Sequence, residues 1–284
     1  MFIRVNRDSY RDGFLGAPPS DFKKGGLPVG EDNAAPLLTI LEGPSSYQPY
    51  LKRAMANRAT TLPARFLRVV TSIAQVPPYL RRIFGGSVGG RIAGGTIDRW
   101  TRTIYVIPAP GRRVETRLEY ALHECVHLFA HPHAPTQKQC PQPCIGTFQR
   151  LFETGFGEGL TQVITEDIMN TQGISLYYRD RPYEGYAVVV RELVKVFGLD
   201  AMARAYFFGE VQALRAAMEA RWGLYWHAVK IKTNSGQKDK ALAQIKELEA
   251  AYRKRLEEEK RLEDLIRKSP RGDFPTPSRE RSFV

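Results

Sequence analysis

The chain has 284 residues, of which 43% are hydrophobic and 11% aromatic, a composition typical of a globular protein that buries a core. Its net charge of +12 permits binding to nucleic acid or to anionic surfaces, but basic residues alternate with acidic ones and no nucleic-acid-binding motif occurs. Because no apolar run is long enough to cross a membrane or to form a secretory signal, we expect neither a transmembrane segment nor a specific nucleic-acid partner.

The N-terminal segment, residues 1–45, is rich in Gly, Pro, Asp and Ser and shows little periodicity. It is predicted to be an extended or disordered leader. Apolar residues become periodic over 46–80, which favours two short helices that end before Pro77.

A β-hairpin is predicted next, because 96–98 and 103–107 are strand-like and flank a polar turn. An edge strand can pair with an extended peptide through backbone hydrogen bonds. The second strand of the hairpin is therefore expected either to bind an extended peptide or only to cover the following helix.

That helix, predicted over 114–130, carries the sequence LEYALHECVHLFA, with His123, Glu124 and His127 in the order H-E-x-x-H. Residues four apart share one face of a helix, so both imidazoles can reach one ion while Glu124 points at its open position. Apolar residues surround the histidines almost completely, as expected of a helix buried in a core. A buried histidine pair needs a partner, and a metal ion is the natural one.

The loop after this helix contains Cys140 and Cys144 on either side of the sequence PQP, together with His131 and His133. Two interpretations stay open for it. The four side chains could form a second, structural zinc site, or the loop could be a proline-stiffened segment with a local disulfide or free thiols.

A second helix is predicted over 148–170, with Glu158 in its first turn and Gly159 allowing a close approach to the first helix. A third is predicted over 183–197, ended by Gly198, and two short helices follow at 199–208 and 211–222.

The C-terminal part changes composition near Lys230, where Lys and Glu become dense and a sparse apolar stripe remains. We therefore predict four parts: the leader 1–45, a catalytic domain over 46–228, a charged helix of coiled-coil type over 229–268, and a disordered tail over 269–284.

A catalytic zinc site takes three protein ligands, so one ligand is missing after His123 and His127. His133 has the spacing that metzincins use, but Ala130 stands where that family has a glycine turn. The run GEGLTQVIT, which contains Glu158, resembles the Glu-Gly-Leu-Thr segment of bacterial gluzincin-type metallopeptidases.

That resemblance implies an α+β, zincin-like fold, mostly helical with a small β-sheet or hairpin beside the active-site helix. It also implies Zn²⁺ held by His123, His127 and Glu158, with a metzincin-like site using His133 as the alternative. Family members often carry an acid four residues after the third ligand to orient a histidine, whereas this chain has Gln162 there.

The expected function is hydrolysis of peptide bonds in a protein or peptide substrate, through a zinc-activated water with Glu124 as general base. Tyr183 or Tyr186, and less suitably His227, would stabilise the developing oxyanion. The rival expectation is a zinc-binding structural or interaction module without hydrolytic activity.

A leader and a charged tail around a compact core are more typical of a delivered protein than of a housekeeping peptidase. The chain would then be made in the cytoplasm, exported by a specialised secretion or injection apparatus that reads the leader or tail, and act as an effector or toxin. The alternative is a cytoplasmic peptidase whose ends regulate access or bind a partner, such as a helix that pairs with the leader or the C-terminal helix.

Overall fold

The computed structural model describes residues 35–58, 68–70, 95–98, 103–106, 114–130, 147–174 and 183–268. Within these ranges the chain is mostly helical, as the sequence predicts. The helices are α1 (Ala35–Glu42), α2 (Gln48–Arg58), α3 (Val114–Phe129), α4 (Thr147–Thr171), α5 (Glu184–Phe197), α6 (Leu199–Phe208), α7 (Val211–Trp222), α8 (Trp226–Asn234) and α9 (Lys238–Lys268), with a 3-10 turn at Gly223–Tyr225.

Three short strands, β1 (Arg68–Val70), β2 (Gly95–Asp98) and β3 (Thr103–Val106), pair in the order β1-β3-β2. Strands β2 and β3 are antiparallel, and β1 joins β3 in parallel. Strand β3 is therefore central among the described strands, so the expectation that it is a free edge for a peptide is wrong.

Two local predictions are also wrong. Residues 68–70 were expected in a helix, but β-branched Val69 and Val70 pair with β3, where such side chains are favoured. In the leader, Ala35–Glu42 forms a helix because its C-terminal end buries Leu41 completely in the core. Residues 1–34 of the leader lie outside the described residues.

The core is organised around α3, which packs against α1, α2, α4, β2 and β3. Its residues from 121 to 130 are all buried, including the two histidines and Glu124, as predicted for a helix that is apolar almost all round. Helix α4 packs against both α3 and α5. This arrangement brings the H-E-x-x-H face of α3 against the helix that carries Glu158.

The C-terminal helices extend this core. Helix α8 begins at Trp226 and ends at Asn234, so it crosses residue 228, where the predicted catalytic domain ends. The first part of α9 contributes Ala241 and Ile245 to the same buried cluster, whereas the last turns of α9 are exposed. None of the helices that the structure describes is both long and apolar enough to cross a bilayer.

Candidate metal centre

Three side chains from α3 and α4 converge on one point. Oε2 of Glu158 lies 3.1 Å from Nε2 of His123 and 3.1 Å from Nε2 of His127. Both histidines are buried and Glu158 is 16% exposed, and the three ligand atoms all lie within 4.8 Å of one another. This group could hold a metal ion.

The proton on His123 is assigned by the groups behind it. Nδ1 of His123 lies 3.1 Å from Oε1 of Gln162, while Nε2 of Gln162 donates to Oε1 of Glu119 and of Glu166, each at 3.0 Å. Only the amide nitrogen can donate to carboxylates, so Oε1 must accept from His123. His123 therefore carries its proton on Nδ1 and presents the Nε2 lone pair to Glu158 when the ring is neutral.

His127 reaches the same state through a hydroxyl. Thr161 donates its proton to the carbonyl of Gly157 at 2.8 Å, so its oxygen accepts from Nδ1 of His127 at 3.2 Å. The hydroxyl of Tyr206 lies 2.5 Å from Oγ1 of Thr161 and 3.4 Å from the same ring nitrogen. The Nε2 lone pair of His127 also faces Glu158.

Two lone pairs and a carboxylate oxygen in mutual contact repel one another unless a cation lies among them. Protons on the rings or a metal ion would supply that charge. Ligand atoms about 2.0–2.2 Å from a tetrahedral zinc ion lie about 3.3 Å apart. This is close to the 3.1 Å that separates Oε2 of Glu158 from Nε2 of each histidine. The Nε2 atoms of two histidines that keep their proton on Nδ1, together with one carboxylate oxygen, form a donor set that suits zinc and related transition metals.

The carboxylate of Glu158 is held in its charged form. Burial alone would raise its pKa, but when the His127 and His123 rings carry protons on Nε2, their charge and hydrogen bonds hold the pKa of Glu158 well below its usual range. The group is therefore available as an anionic ligand throughout the neutral range.

The segment of α4 that carries Glu158 begins at a break in the helix. Glu153 has φ 68° and ψ 179°, a conformation that costs about 1–3 kcal/mol for a residue with a side chain. Its carboxylate lies 3.2 Å from Nζ of Lys230 on α8. Glu158 lies five residues after the break and eleven residues after Thr147, where α4 begins, so the prediction that it lies in the first turn of its helix is wrong.

Gly159 allows a close helix approach, but not the predicted one to α3. A methyl group there would lie 2.9 Å from the backbone carbon and oxygen of Tyr186 on α5. The missing side chain therefore brings α4 against α5, next to the ligand on one helix and a candidate tyrosine on the other.

The predicted catalytic residues lie around this cluster. The ring of Tyr183 stacks on His123 with centroids 4.9 Å apart, and the Glu158 carboxylate, burial and Glu124 raise the pKa of Tyr183 well above its usual value. Burial and Glu158 also raise the pKa of Tyr186. Both hydroxyls therefore stay protonated at neutral pH and can donate hydrogen bonds.

Other predicted residues have different outcomes. His227 stacks on Trp226, with ring centroids 4.0 Å apart. Cys125 is buried in the core, where burial and Glu124 raise its thiol pKa, as expected of a small apolar residue. Outside the described residues lie His131, His133, Cys140 and Cys144, so the second zinc site and the alternative ligand stay predictions.

Sequence reasoning missed most of the groups behind the histidines. Only Gln162 was named in advance. Thr161 lies one turn after Glu158, and Glu119 lies one turn before His123, so helical spacing could have found these two as well. Tyr206 could not be found locally, because only the packing of α6 brings it to Thr161.

Glu166 continues the polar network towards solvent. It forms an ion pair with Arg191, whose Nη1 lies 3.0 Å from Oε1 of Glu184. Two buried carboxylates thus hold the amide of Gln162. The amide lies between the His123 ring and these two negative charges, whereas an acidic residue at position 162 would place its charge directly against the ring.

Comparison with family models, with curated proteins and with solved structures found no match to this chain.

Proposed function

We propose that this protein is a zinc-dependent metallopeptidase with a gluzincin-like, zincin-type site. The observation that carries the proposal is the convergence of the Nε2 atoms of His123 and His127 on Oε2 of Glu158, with both Nδ1 atoms hydrogen-bonded from behind. A structural zinc site would fill all four positions with protein ligands. Among the described residues three ligands meet, on α3 and α4, which suits an ion that keeps a position for water.

Within this proposal, His123, His127 and Glu158 hold the ion, which when bound would acidify a water molecule and polarise a carbonyl. Gln162 and Thr161 orient the two rings and raise the basicity of their Nε2 atoms. The ligand set contains two neutral rings and one carboxylate, so a bound dication would leave one positive charge on the ligand set, which would stabilise a hydroxide or a developing oxyanion at the ion.

Glu124 is the general base of the proposed reaction. It is the residue after His123 on α3 and is 9% exposed, so little water screens its charge. Its carboxylate takes a proton from the attacking water and returns it to the leaving amine. The effect of Glu124 on the pKa of Tyr183 supports its being close to the same site.

Tyr183 and Tyr186 are the proposed donors to the oxygen that becomes negative during amide hydrolysis. Tyr183 is held by its stack on His123, and Tyr186 lies at the contact between α4 and α5 beside Gly159. A protonated hydroxyl next to the ion stabilises developing charge without giving up its proton.

The test compares the wild type with Glu124→Gln in zinc content and in cleavage of a peptide library. The proposal expects one zinc in both proteins and cleavage only by the wild type. Zinc in both proteins with cleavage by neither would favour the rival, a zinc-binding structural or interaction module.

Export and action as an effector or toxin stay a prediction. Expressing the wild type and Glu124→Gln inside several kinds of host cell would test it, because toxicity that requires Glu124 is expected of an effector. Equal growth with both proteins in every host would count against delivery.

A further inference from the structure

The break that begins the Glu158 segment of α4 is bridged by a side chain from α8. Oδ1 of Asn234 accepts from the backbone N–H of Gly155 at 2.6 Å. Nδ2 of Asn234 donates to the carbonyl of Phe152 at 2.9 Å, and to that of Lys230 at the same distance. The amide thus satisfies one backbone group on each side of the break.

This contact has the role of a helix cap supplied from far along the chain. A helix start usually takes its cap from the residue just before it, through a side-chain oxygen that accepts a free N–H. Here the acceptor is 79 residues away in sequence. Because the amide nitrogen faces two carbonyls, its oxygen can only face Gly155, so the orientation of Asn234 is determined.

Gly155 is required for this contact. A methyl group at that position would lie 2.7 Å from Oδ1 of Asn234 and 3.0 Å from the ring of Tyr186. Three residues later, Glu158 contacts both histidines, and one further turn brings Thr161 and Gln162 to their Nδ1 atoms. Every contact that α4 makes with the two rings therefore depends on where this segment begins.

We infer that Asn234 is a positioning residue for the metal centre, acting through Gly155 on the segment of α4 that presents Glu158. The inference rests on the proposed metal site. Asn234 itself touches none of the three ligands in the contacts described, so its effect must pass through the backbone of α4. The contact of Asn234 with Gly155 also means that the part of α8 beyond residue 228, the predicted end of the catalytic domain, supports the metal site.

The test measures zinc affinity by competition with a chelating dye, and the visible absorption spectrum of the cobalt-substituted protein, for the full-length chain. Asn234→Ala should weaken zinc binding by about 10-fold or more, the effect usual for groups that support ligands, and should alter the cobalt spectrum. Asn234→Asp keeps an acceptor for Gly155 but turns its second oxygen towards the carbonyls of Phe152 and Lys230, so it should recover only part of the affinity. If Asn234→Ala does not fold, Asn234→Ser replaces it. A serine hydroxyl can donate to the carbonyl of Lys230 on the same helix but is too short to reach Gly155.

The matched control is Glu249→Ala on α9, which loses contacts to Arg221 and Trp222 away from α4. It should lower the melting temperature of the metal-free protein but leave zinc affinity and the cobalt spectrum unchanged. Zinc affinity of Asn234→Ala within twofold of the wild type, or an equal loss in Glu249→Ala, would overturn the inference alone. A wild type that binds no zinc would overturn the metal site itself.

Discussion

The contact between α4 and α5 beside Glu158 can be tested with one methyl group. In Gly159→Ala the new methyl would lie 2.9 Å from the backbone carbon and oxygen of Tyr186 and 2.9 Å from Cγ2 of Val190. Ordinary carbon contacts are about 3.5–4.0 Å, so α5 must move by more than about 0.5 Å. Because both closest atoms at Tyr186 belong to backbone, a rotamer change cannot relieve the clash.

The same substitution two residues earlier supplies a control. In Gly157→Ala the methyl would lie 3.3 Å from Cγ of Gln149, a flexible side chain that can give way. Both changes gain about 1 kcal/mol of helix propensity in the same helix, so that gain cancels between them. The difference in unfolding free energy is then the overpacking cost at Gly159, about 1–3 kcal/mol.

Thermal unfolding of the metal-free proteins measures this difference. For a domain of this size, 1 kcal/mol shifts the melting temperature by about 2–4 °C, so Gly159→Ala should melt about 2–12 °C below Gly157→Ala. Zinc affinity should fall only in Gly159→Ala. Separating α4 from α5 at Gly159 displaces Glu158, the residue directly before it. Equal stability and equal zinc affinity in the two variants would refute the packing described for α4 and α5.

Four further substitutions test the roles of residues around the ion. Glu124→Gln should lower peptide hydrolysis by more than about 100-fold while zinc content and melting temperature stay unchanged, and a variant with normal turnover would remove Glu124 from the mechanism. Gln162→Glu should weaken zinc binding, measured by dye competition, by about 10–100-fold, because its new carboxylate would face the two carboxylates that now accept from the amide. An unchanged affinity would show that the amide is not needed. Tyr183→Phe keeps the ring on His123 but loses the hydroxyl, so kcat should fall by about 10²–10³-fold with unchanged KM and zinc affinity. Tyr186→Phe is measured in parallel, and normal kcat in both variants would exclude both tyrosines.

Regular helices were the most predictable part of the fold. The predicted bounds 199–208 and 211–222 agree with α6 and α7 to the residue. Gly198 lies directly before α6, and Gly209 and Gly223 lie directly after α6 and α7, so glycines mark these helix ends in the sequence. The H-E-x-x-H spacing likewise placed His123 and His127 on one face of α3 by local geometry alone.

Features that depend on tertiary contacts could not be predicted in this way. The apolar period of α4 runs through Glu153, so periodicity does not mark the break, which is bridged by a residue of α8. Val69 and Val70 form too short an apolar run for periodicity to distinguish a helix from a strand, and their pairing with β3 makes the segment a strand. The predicted partner helix of Gly159 was wrong for the same reason. A glycine at this place predicts a close contact, but the sequence does not tell which helix makes it.

The central claim is that His123, His127 and Glu158 hold one zinc ion, and metal analysis of purified variants tests it most directly. The account predicts one zinc per chain in the wild type, loss of zinc in His123→Ala and Glu158→Ala, and retention in His133→Ala. A His133→Ala protein without zinc, beside a Glu158→Ala protein that keeps it, would contradict the assignment and favour the metzincin-like ligand set.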